Sequence, residues 1–165
     1  MSDLDAARRR SLAYFDSTHC ASQWNDVLRF LLEELYVSGG EQDAGAFLRH
    51  IGARMASELT LPDQQTLEGL ERTLNELWRA RDWGWVSLTA GETRLTIEHG
   101  AYPVAGHSEA ERARGARAAS ALLAGAYGVW LERQGGDSSV PLRVVTAEAG
   151  KPLEFVYARE EVAGH

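Results

Sequence analysis

The fold class is decided by the stretch Trp83-Gly84-Trp85-Val86-Ser87-Leu88-Thr89, in which apolar side chains alternate with small or polar ones. After the short connection Ala90-Gly91-Glu92, the stretch Arg94-Leu95-Thr96-Ile97-Glu98 alternates again. Alternation with a period of two is typical of β-strands, because successive side chains point to opposite faces of a sheet. Two such strands joined by a tight turn predict a β-hairpin. Within it, Trp83 and Trp85 are predicted to share one face of the strand.

Upstream of this hairpin the spacing of apolar residues is that of helices. Positions three and four apart predict helices over residues 24–36, 41–58 and 64–80, separated by Ser38-Gly39-Gly40 and by Leu61-Pro62-Asp63. The apolar stripe of the first helix consists of Trp24, Val27, Leu28, Leu31, Leu32 and Leu35. The side chains predicted to point inward from the second helix are Phe47, Leu48, Ile51, Met55 and Leu59.

Downstream of the hairpin, an Ala-rich helix is predicted over residues 108–134, followed by strands over 140–147 and 153–157. The order is therefore three helices, a hairpin, a long helix and a second hairpin. This order predicts an α+β fold with three N-terminal helices and an antiparallel four-stranded sheet of two hairpins separated by one long helix, with the helices on one side. We predict a single α+β domain over residues 22–159. Residues 1–21 are predicted to form a flexible or interface-forming segment, and residues 160–165 a tail.

Composition excludes several classes of protein. A chain of 165 residues with 44% hydrophobic residues has room for one ordinary core. The net charge of −7 argues against a nucleic-acid partner, whose phosphates require basic residues. Because the longest apolar stretches fall short of the roughly 20 residues that cross a bilayer, we predict no direct membrane insertion. The N-terminal residues lack the pattern of a signal peptide, which favours the cytoplasm, near the inner membrane, over the periplasm.

The sequence predicts no catalytic residues, no metal site and no cofactor. No two of the five histidines are spaced as ligands on one helix, and the motifs of a nucleophile elbow or a phosphate loop are missing from the sequence. Glu98 and His99 leave two interpretations, an acid/base pair or a structural hydrogen bond. Adjacent acids such as Glu33 and Glu34 leave a glycoside hydrolase as an alternative, although acids in that arrangement usually face water.

The tryptophans are more informative, because an indole can pack in a core or stack on a sugar ring. Trp24, Trp78 and Trp130 share helix faces with Leu and Val, which favours a place in a core or in a subunit interface. The candidate core or subunit-interface aromatic residues are Trp83, Trp85, Tyr127 and Trp130.

Several stretches together resemble the cellulose synthase D-subunit family. The central ones are residues 74–78, 82–88 and 95–99, whose order and spacing are similar to the signature of that family. The stretch Leu122-Leu123-Ala124-Gly125-Ala126-Tyr127-Gly128-Val129-Trp130 resembles its long-helix motif, and residues 48–56 are similar to its second helix. The resemblance extends over residues 24–157.

This resemblance implies a non-catalytic accessory component of bacterial cellulose synthesis. It implies that the chain forms dimers that assemble into an octameric ring, and that the ring organises synthase complexes and promotes ordered, crystalline cellulose. The implied partners are other copies of the chain, other cellulose synthase subunits or a companion scaffold protein, and nascent glucan chains. Passageways for glucan lined by N-terminal segments would place contacts around Tyr14 and Phe15. From the residues alone, a regulatory domain with a small-ligand pocket between the sheet and the long helix remains an alternative.

Overall fold

The computed structural model describes residues 3–17 and 22–159 of the chain; the side chains of residues 3, 4 and 13–17 are outside this description. The elements in chain order are α1 (Asp3–Ser17), α2 (Ser22–Glu58), α3 (Leu67–Arg79), β1 (Trp85–Ala90), β2 (Arg94–Gly100), α4 (Glu109–Arg133), β3 (Leu142–Thr146) and β4 (Leu153–Ala158). The predicted α+β class and the predicted order of hairpins and long helix are confirmed.

Helix α2 consists of two helical halves that meet at a kink. Gly40 has the non-helical dihedral angles φ 72° and ψ 175°, which glycine adopts without the steric cost that a Cβ atom would bring. The two predicted helices over residues 24–36 and 41–58 are therefore these halves. The break lies within the predicted Ser38-Gly39-Gly40, but the chain resumes its helix at once on the other side.

Helix α3 begins later than predicted, because Thr66 is its N-cap. The Thr66 side chain accepts a hydrogen bond from the backbone N–H of Gly69, 3.0 Å away. Such a cap satisfies one of the backbone donors that the first turn of a helix leaves free. The predicted start at residue 64 thus lies before the cap.

The sheet has the strand order β1-β2-β4-β3, and all three pairings are antiparallel. The first hairpin pairs Leu88 with Ile97, and β2 continues the sheet by pairing Ile97 with Phe155 of β4. These three side chains belong to one buried cluster with α3 and α4. The two predicted hairpins therefore form one sheet, joined through their inner strands.

The helices lie at different distances from the sheet. Helix α3 packs on β1 and α4 packs on β3 and β4, whereas α2 packs mainly on α4. The α2–α4 contact is close because glycines face the opposing backbone. A Cβ atom on Gly52 would lie 1.8 Å from the Leu122 carbonyl oxygen, and one on Gly125 would lie 1.9 Å from that of Arg49. Helix α2 therefore forms the outer layer of the fold.

Trp83 and Trp85 do not share a face, contrary to the prediction. Trp83 precedes β1 and packs against the main core, whereas Trp85 clusters with Ala7 of α1 and with Ala101. The reason is the backbone of Gly84, which lies between them and has a positive φ angle of 88°, so regular alternation begins only at Trp85.

Helix α1 was not predicted. It lies on the other face of the sheet, whereas all helices were expected on one side. Trp85 and its neighbour Val86 point to opposite faces of β1, and Val86 faces the main core. The Trp85 indole N–H donates to the Ser11 hydroxyl at 3.2 Å, and the guanidinium of Arg10 lies 4.6 Å from the centre of the Trp85 ring. Trp85 therefore anchors α1 against the opposite face of β1. The proposed boundary at residue 21 stays a prediction.

Candidate assembly surface

The N-terminal half of α2 carries a row of apolar side chains that the folded chain leaves exposed. We call Trp24, Val27, Leu28 and Leu31 the α2 apolar face. Their spacing of three, one and three residues places them on one side of the helix. Trp24 is 58% exposed and Leu31 is 60% exposed. Clusters of exposed large apolar side chains on a soluble protein typically mark a surface that another molecule covers.

The predicted apolar stripe of this half-helix is thus divided between two roles. Leu32 and Leu35, on its inner margin, pack with Tyr36 against a small cluster formed by Leu48, Ala118 and Ala121. The outer margin is the α2 apolar face. The period of the sequence correctly identified one side of a helix, but only part of that side is buried within the folded chain.

Beyond the kink, two residues predicted to point inward are exposed instead. Phe47 is 52% exposed and Ile51 is 37% exposed. The buried side of this half is formed by Ala44, Leu48, Gly52 and Ala56. Three of these four residues are small, which suits the close approach of α4, and the larger Phe47 and Ile51 point toward solvent. These two side chains add further apolar surface on α2.

An apolar cavity of about 210 Å³ lies at the margin of the α2 apolar face. Leu28 belongs to both the face and the cavity wall, and Trp83 and Leu122 line the cavity as well. Apart from Asn25, the lining consists of apolar side chains and Gly115. The face and the cavity therefore form one continuous apolar region of the surface.

Polar contacts hold this half of α2 in place from the side that faces the rest of its own chain. The backbone N–H of Gly106 donates to the Asn25 side-chain oxygen at 2.9 Å, and Arg29 forms an ion pair with Glu111 at 3.0 Å. Glu111 also closes a capping box at the start of α4. The backbone N–H groups of Ser108 and His107 donate to its carboxylate and lower the pKa of Glu111 to about 2. The helix is thus anchored by polar groups while its apolar face points outward.

The space between the sheet and α4 is filled by packed aromatic rings. Tyr127 and Trp130 on α4 are 1% and 2% exposed, and Trp78 of α3 is fully buried. The ring of Trp78 lies 5.5 Å from that of Trp130 and 6.3 Å from that of Tyr127, in edge-to-face geometry. Such pairs add to the stability gained by burial alone. The space between the sheet and the long helix, in which the alternative interpretation places a ligand pocket, is therefore filled by packed rings.

His99 lies inside this aromatic cluster and is fully buried. Its Nε2 atom lies 2.6 Å from the Trp83 carbonyl oxygen, which can only accept, so Nε2 carries the proton. In the neutral ring Nδ1 must then accept from the Tyr127 hydroxyl, also 2.6 Å away. The Tyr127 oxygen in turn accepts from the Trp78 indole N–H at 3.1 Å. The hydrogen bonds of Trp78, Tyr127 and His99 thus form one directed chain, which favours the structural interpretation of His99.

A comparison with known protein families identifies the chain. The family model described as the D subunit of cellulose synthase matches residues 10–158. The chain belongs to the cellulose synthase D-subunit family. A comparison with curated proteins returns no match. Family membership connects this cellulose synthase D-subunit protein with cellulose synthesis, as the resemblance of residues 24–157 had indicated.

Two of the sequence-predicted site residues lie where their side chains are outside the description. Tyr14 and Phe15 fall within α1, but nothing is described of their side chains, so a glucan contact at these positions remains a prediction. Of the four aromatic residues, Tyr127 and Trp130 lie in the main core, Trp83 lines the apolar cavity and Trp85 contacts α1. The structure therefore does not bring these four aromatic residues together in one site.

In residues 3–17 and 22–159 no group of three or more His, Cys, Asp or Glu side chains is arranged to hold a metal ion. No helix in that part of the chain is both long enough and apolar enough to span a membrane.

The buried histidine makes stability depend on pH. Burial lowers the pKa of His99 from 6.5 to about 4. In the unfolded chain this group takes up a proton below about pH 6.5, whereas the folded protein resists protonation down to about pH 4. The free energy of unfolding should therefore fall by about 3 kcal/mol between pH 6.5 and pH 4 through this group. Denaturant unfolding at a series of pH values measures the change.

Carboxylates also titrate near the lower end of this range, so the test compares variants. His99→Gln should lose the His99 component of the pH dependence, while His50→Gln, at an exposed position of α2, should retain it. Equal pH dependence in the wild type and His99→Gln would contradict a buried neutral His99.

Proposed function

We propose that this cellulose synthase D-subunit protein is a non-catalytic scaffold of bacterial cellulose synthesis, whose copies associate through the α2 apolar face and build a closed ring. The observation that supports this most directly is the exposure of Trp24, Val27, Leu28 and Leu31 on a helix that is otherwise well anchored. Burying a fully exposed large apolar side chain contributes about 1.5–3 kcal/mol, and these four, which are 45–60% exposed, would gain about half of that each. Four such side chains therefore supply a substantial driving force for association, even after its entropic cost.

The cavity beside the face supports contact with another protein chain over binding of a small ligand. Ligand pockets usually have volumes of about 300–1,000 Å³ and contain several convergent polar groups. This cavity, at about 210 Å³, is smaller, and Asn25, the one polar residue among its described lining residues, already accepts a hydrogen bond from Gly106. Its size and apolar lining suit a side chain contributed by a neighbouring copy. We therefore prefer the scaffold to the alternative of a small-ligand regulatory domain.

The absence of catalysis is part of the proposal. Burial lowers the pKa of His99 and raises the pKa of Tyr127. The two side chains are hydrogen-bonded to each other inside the core and do not reach solvent. The carboxylate of Glu111 caps a helix and pairs with Arg29. Each of these groups has a structural role in the described part of the chain, which favours a scaffold over a glucan hydrolase.

The ring itself is proposed from the resemblance to the family together with the physics of symmetric assembly. Repeated use of identical interfaces closes into rings when the rotation between copies fits. We propose dimers that assemble into an octamer on the cytoplasmic side, near the inner membrane. There the octamer would arrange synthase complexes, with other synthase subunits or a companion scaffold protein as partners, so that glucan chains crystallise together. Contact with nascent glucan, around Tyr14 and Phe15, belongs to the same proposal.

A complementation experiment tests this function. A cellulose-producing strain that lacks the gene receives either the wild-type protein or Leu31→Glu, which places a charge in the α2 apolar face. We expect glucan synthesis per synthase in isolated membranes to be equal in the two strains, and crystalline cellulose to be restored by the wild type alone. If polymerisation itself depended on the variant, a direct catalytic or regulatory role would replace the scaffold. If Leu31→Glu restored crystalline cellulose fully while remaining dissociated, the α2 apolar face would not be the functional contact.

A further inference from the structure

Side chains of α3 are bonded to the outer edge of β1. In the strand order β1-β2-β4-β3, β1 pairs with β2 on one side only. On its other side the backbone N–H of Val86 donates to the Asn75 side-chain oxygen at 3.0 Å, and the Asn75 side-chain nitrogen donates to the Val86 carbonyl at 2.8 Å. The next edge-facing N–H along the strand, that of Leu88, donates to the Glu71 carboxylate at 2.7 Å.

The Asn75 amide acts here as a neighbouring strand would. In an antiparallel sheet two facing residues exchange both an N–H and a C=O hydrogen bond. Asn75 offers the same donor and acceptor to Val86, and its second amide hydrogen is used by the Glu71 carbonyl, 2.9 Å away. The donors and the acceptor of this amide are thus all engaged, which fixes its orientation.

The spacing of the two side chains matches the spacing of the strand. Glu71 and Asn75 lie four residues apart on α3, which is about 6 Å along a helix. The edge-facing groups of Val86 and Leu88 lie two residues apart, which is about 6.7 Å along a strand. One face of the helix therefore covers two successive edge positions, with the helix running antiparallel to the strand.

We propose that Asn75 and Glu71 close the β1 edge against strand addition by a second copy of the chain, and that they thereby restrict contact between copies to the helical surface. An open sheet edge presents unpaired backbone groups that recruit other strands. The opposite edge, β3, has only five residues, a shift of register between Val144 and Thr146, and an exposed Arg143. Short length, irregularity and charge are features that discourage strand addition. The closure at β1 operates whether or not the chain builds a ring.

The test places Glu71→Ala with Asn75→Ala in a Leu31→Glu background, where association through the α2 apolar face is suppressed. The matched control carries Arg72→Ala with Glu76→Ala, two exposed positions of the same helix. Amide exchange measured by NMR should become about tenfold faster at Val86 and Leu88 in the first protein, with Ile97 in the central strand β2 unaffected. At raised concentration the same protein should develop the infrared signal of intermolecular β-sheet, which the control should not show.

The single variants keep the test decisive if the double variant does not fold. Glu71→Ala should speed exchange at Leu88 alone, because the Asn75 contacts to Val86 remain. Unchanged exchange at both amides would show that the α3 side chains do not close the edge. Faster exchange without any intermolecular sheet would show that the closure does not control association. Because the background lacks the α2 contact, either failure is distinguishable from a failure of the proposed ring.

Discussion

Replacing Gly125 by alanine is expected to destabilise the fold by about 4 kcal/mol or more, or to prevent folding. The added Cβ atom would lie 1.9 Å from the carbonyl oxygen of Arg49, and 2.8 Å from its carbonyl carbon. Both atoms belong to the backbone of α2, so no side-chain rotation relieves the clash. The two helices would have to separate, which would also open the cluster around Leu48 and Ala118. Denaturant unfolding followed by circular dichroism measures the loss.

Gly128→Ala is the matched control for this prediction. Gly128 lies three residues further along α4, and a Cβ atom there would meet nothing within 4 Å. Because alanine favours helix over glycine, this variant should be as stable as the wild type or more stable by up to about 1 kcal/mol. Equal stability of the Gly125→Ala and Gly128→Ala variants would contradict the close α2–α4 contact.

The second large effect is expected from Leu31→Glu in the α2 apolar face. Leu31 is 60% exposed in the folded chain, so the substitution should leave the stability of the isolated chain nearly unchanged. In an interface, however, the carboxylate would be buried among Trp24, Val27 and Leu28 without a partner. We expect the dissociation constant between copies to rise by about 100-fold or more. Analytical ultracentrifugation over a range of concentrations measures it.

Val145→Glu is the matched control, because it also replaces an exposed apolar residue by glutamate. Val145 is an exposed apolar residue as well, at 57%, but it lies on β3, away from α2. Its replacement by glutamate adds the same charge to a surface that is outside the proposed interface. The assembly should keep its wild-type mass in this variant. Dissociation by Val145→Glu and not by Leu31→Glu would move the interface to the sheet.

The two hairpins could be predicted because the residues that determine each of them are neighbours in the sequence. Alternation over residues 85–89 and 94–98 and the turn-forming residues between them indicate the first hairpin without knowledge of the rest of the chain. The same holds for the second hairpin. The helical period was equally readable along α2, including the break near Gly40.

What the period could not show is which molecule covers an apolar stripe. Leu31 and Leu32 both belong to the predicted stripe, yet Leu32 packs within the folded chain and Leu31 is exposed. The distinction depends on contacts with Ala118 and Ala121 of α4, which lie far away in the sequence. Spacing gives the face of a helix, whereas burial depends on tertiary distances.

Other features were missed because they depend on single backbone conformations or on distant contacts. The packing of Trp83 and Trp85 on different sides follows from the positive φ angle of Gly84, which lies between them. The role of His99 depends on Tyr127, which is 28 residues away in the chain, and the closure of β1 depends on the side-chain amide of Asn75. An asparagine within a helix and a histidine at a strand end carry no sequence signal for such partners.

The mass of the wild-type protein in solution is the most direct test of the proposal that the chain assembles into a scaffold. Sedimentation equilibrium of the ligand-free chain at several concentrations measures that mass without any assumption about shape. We predict an assembly of eight copies of the 18.1 kDa chain, present without added ligand and dissociated by Leu31→Glu. A monomer at every concentration, with the α2 apolar face left in contact with solvent, would contradict the self-assembling scaffold.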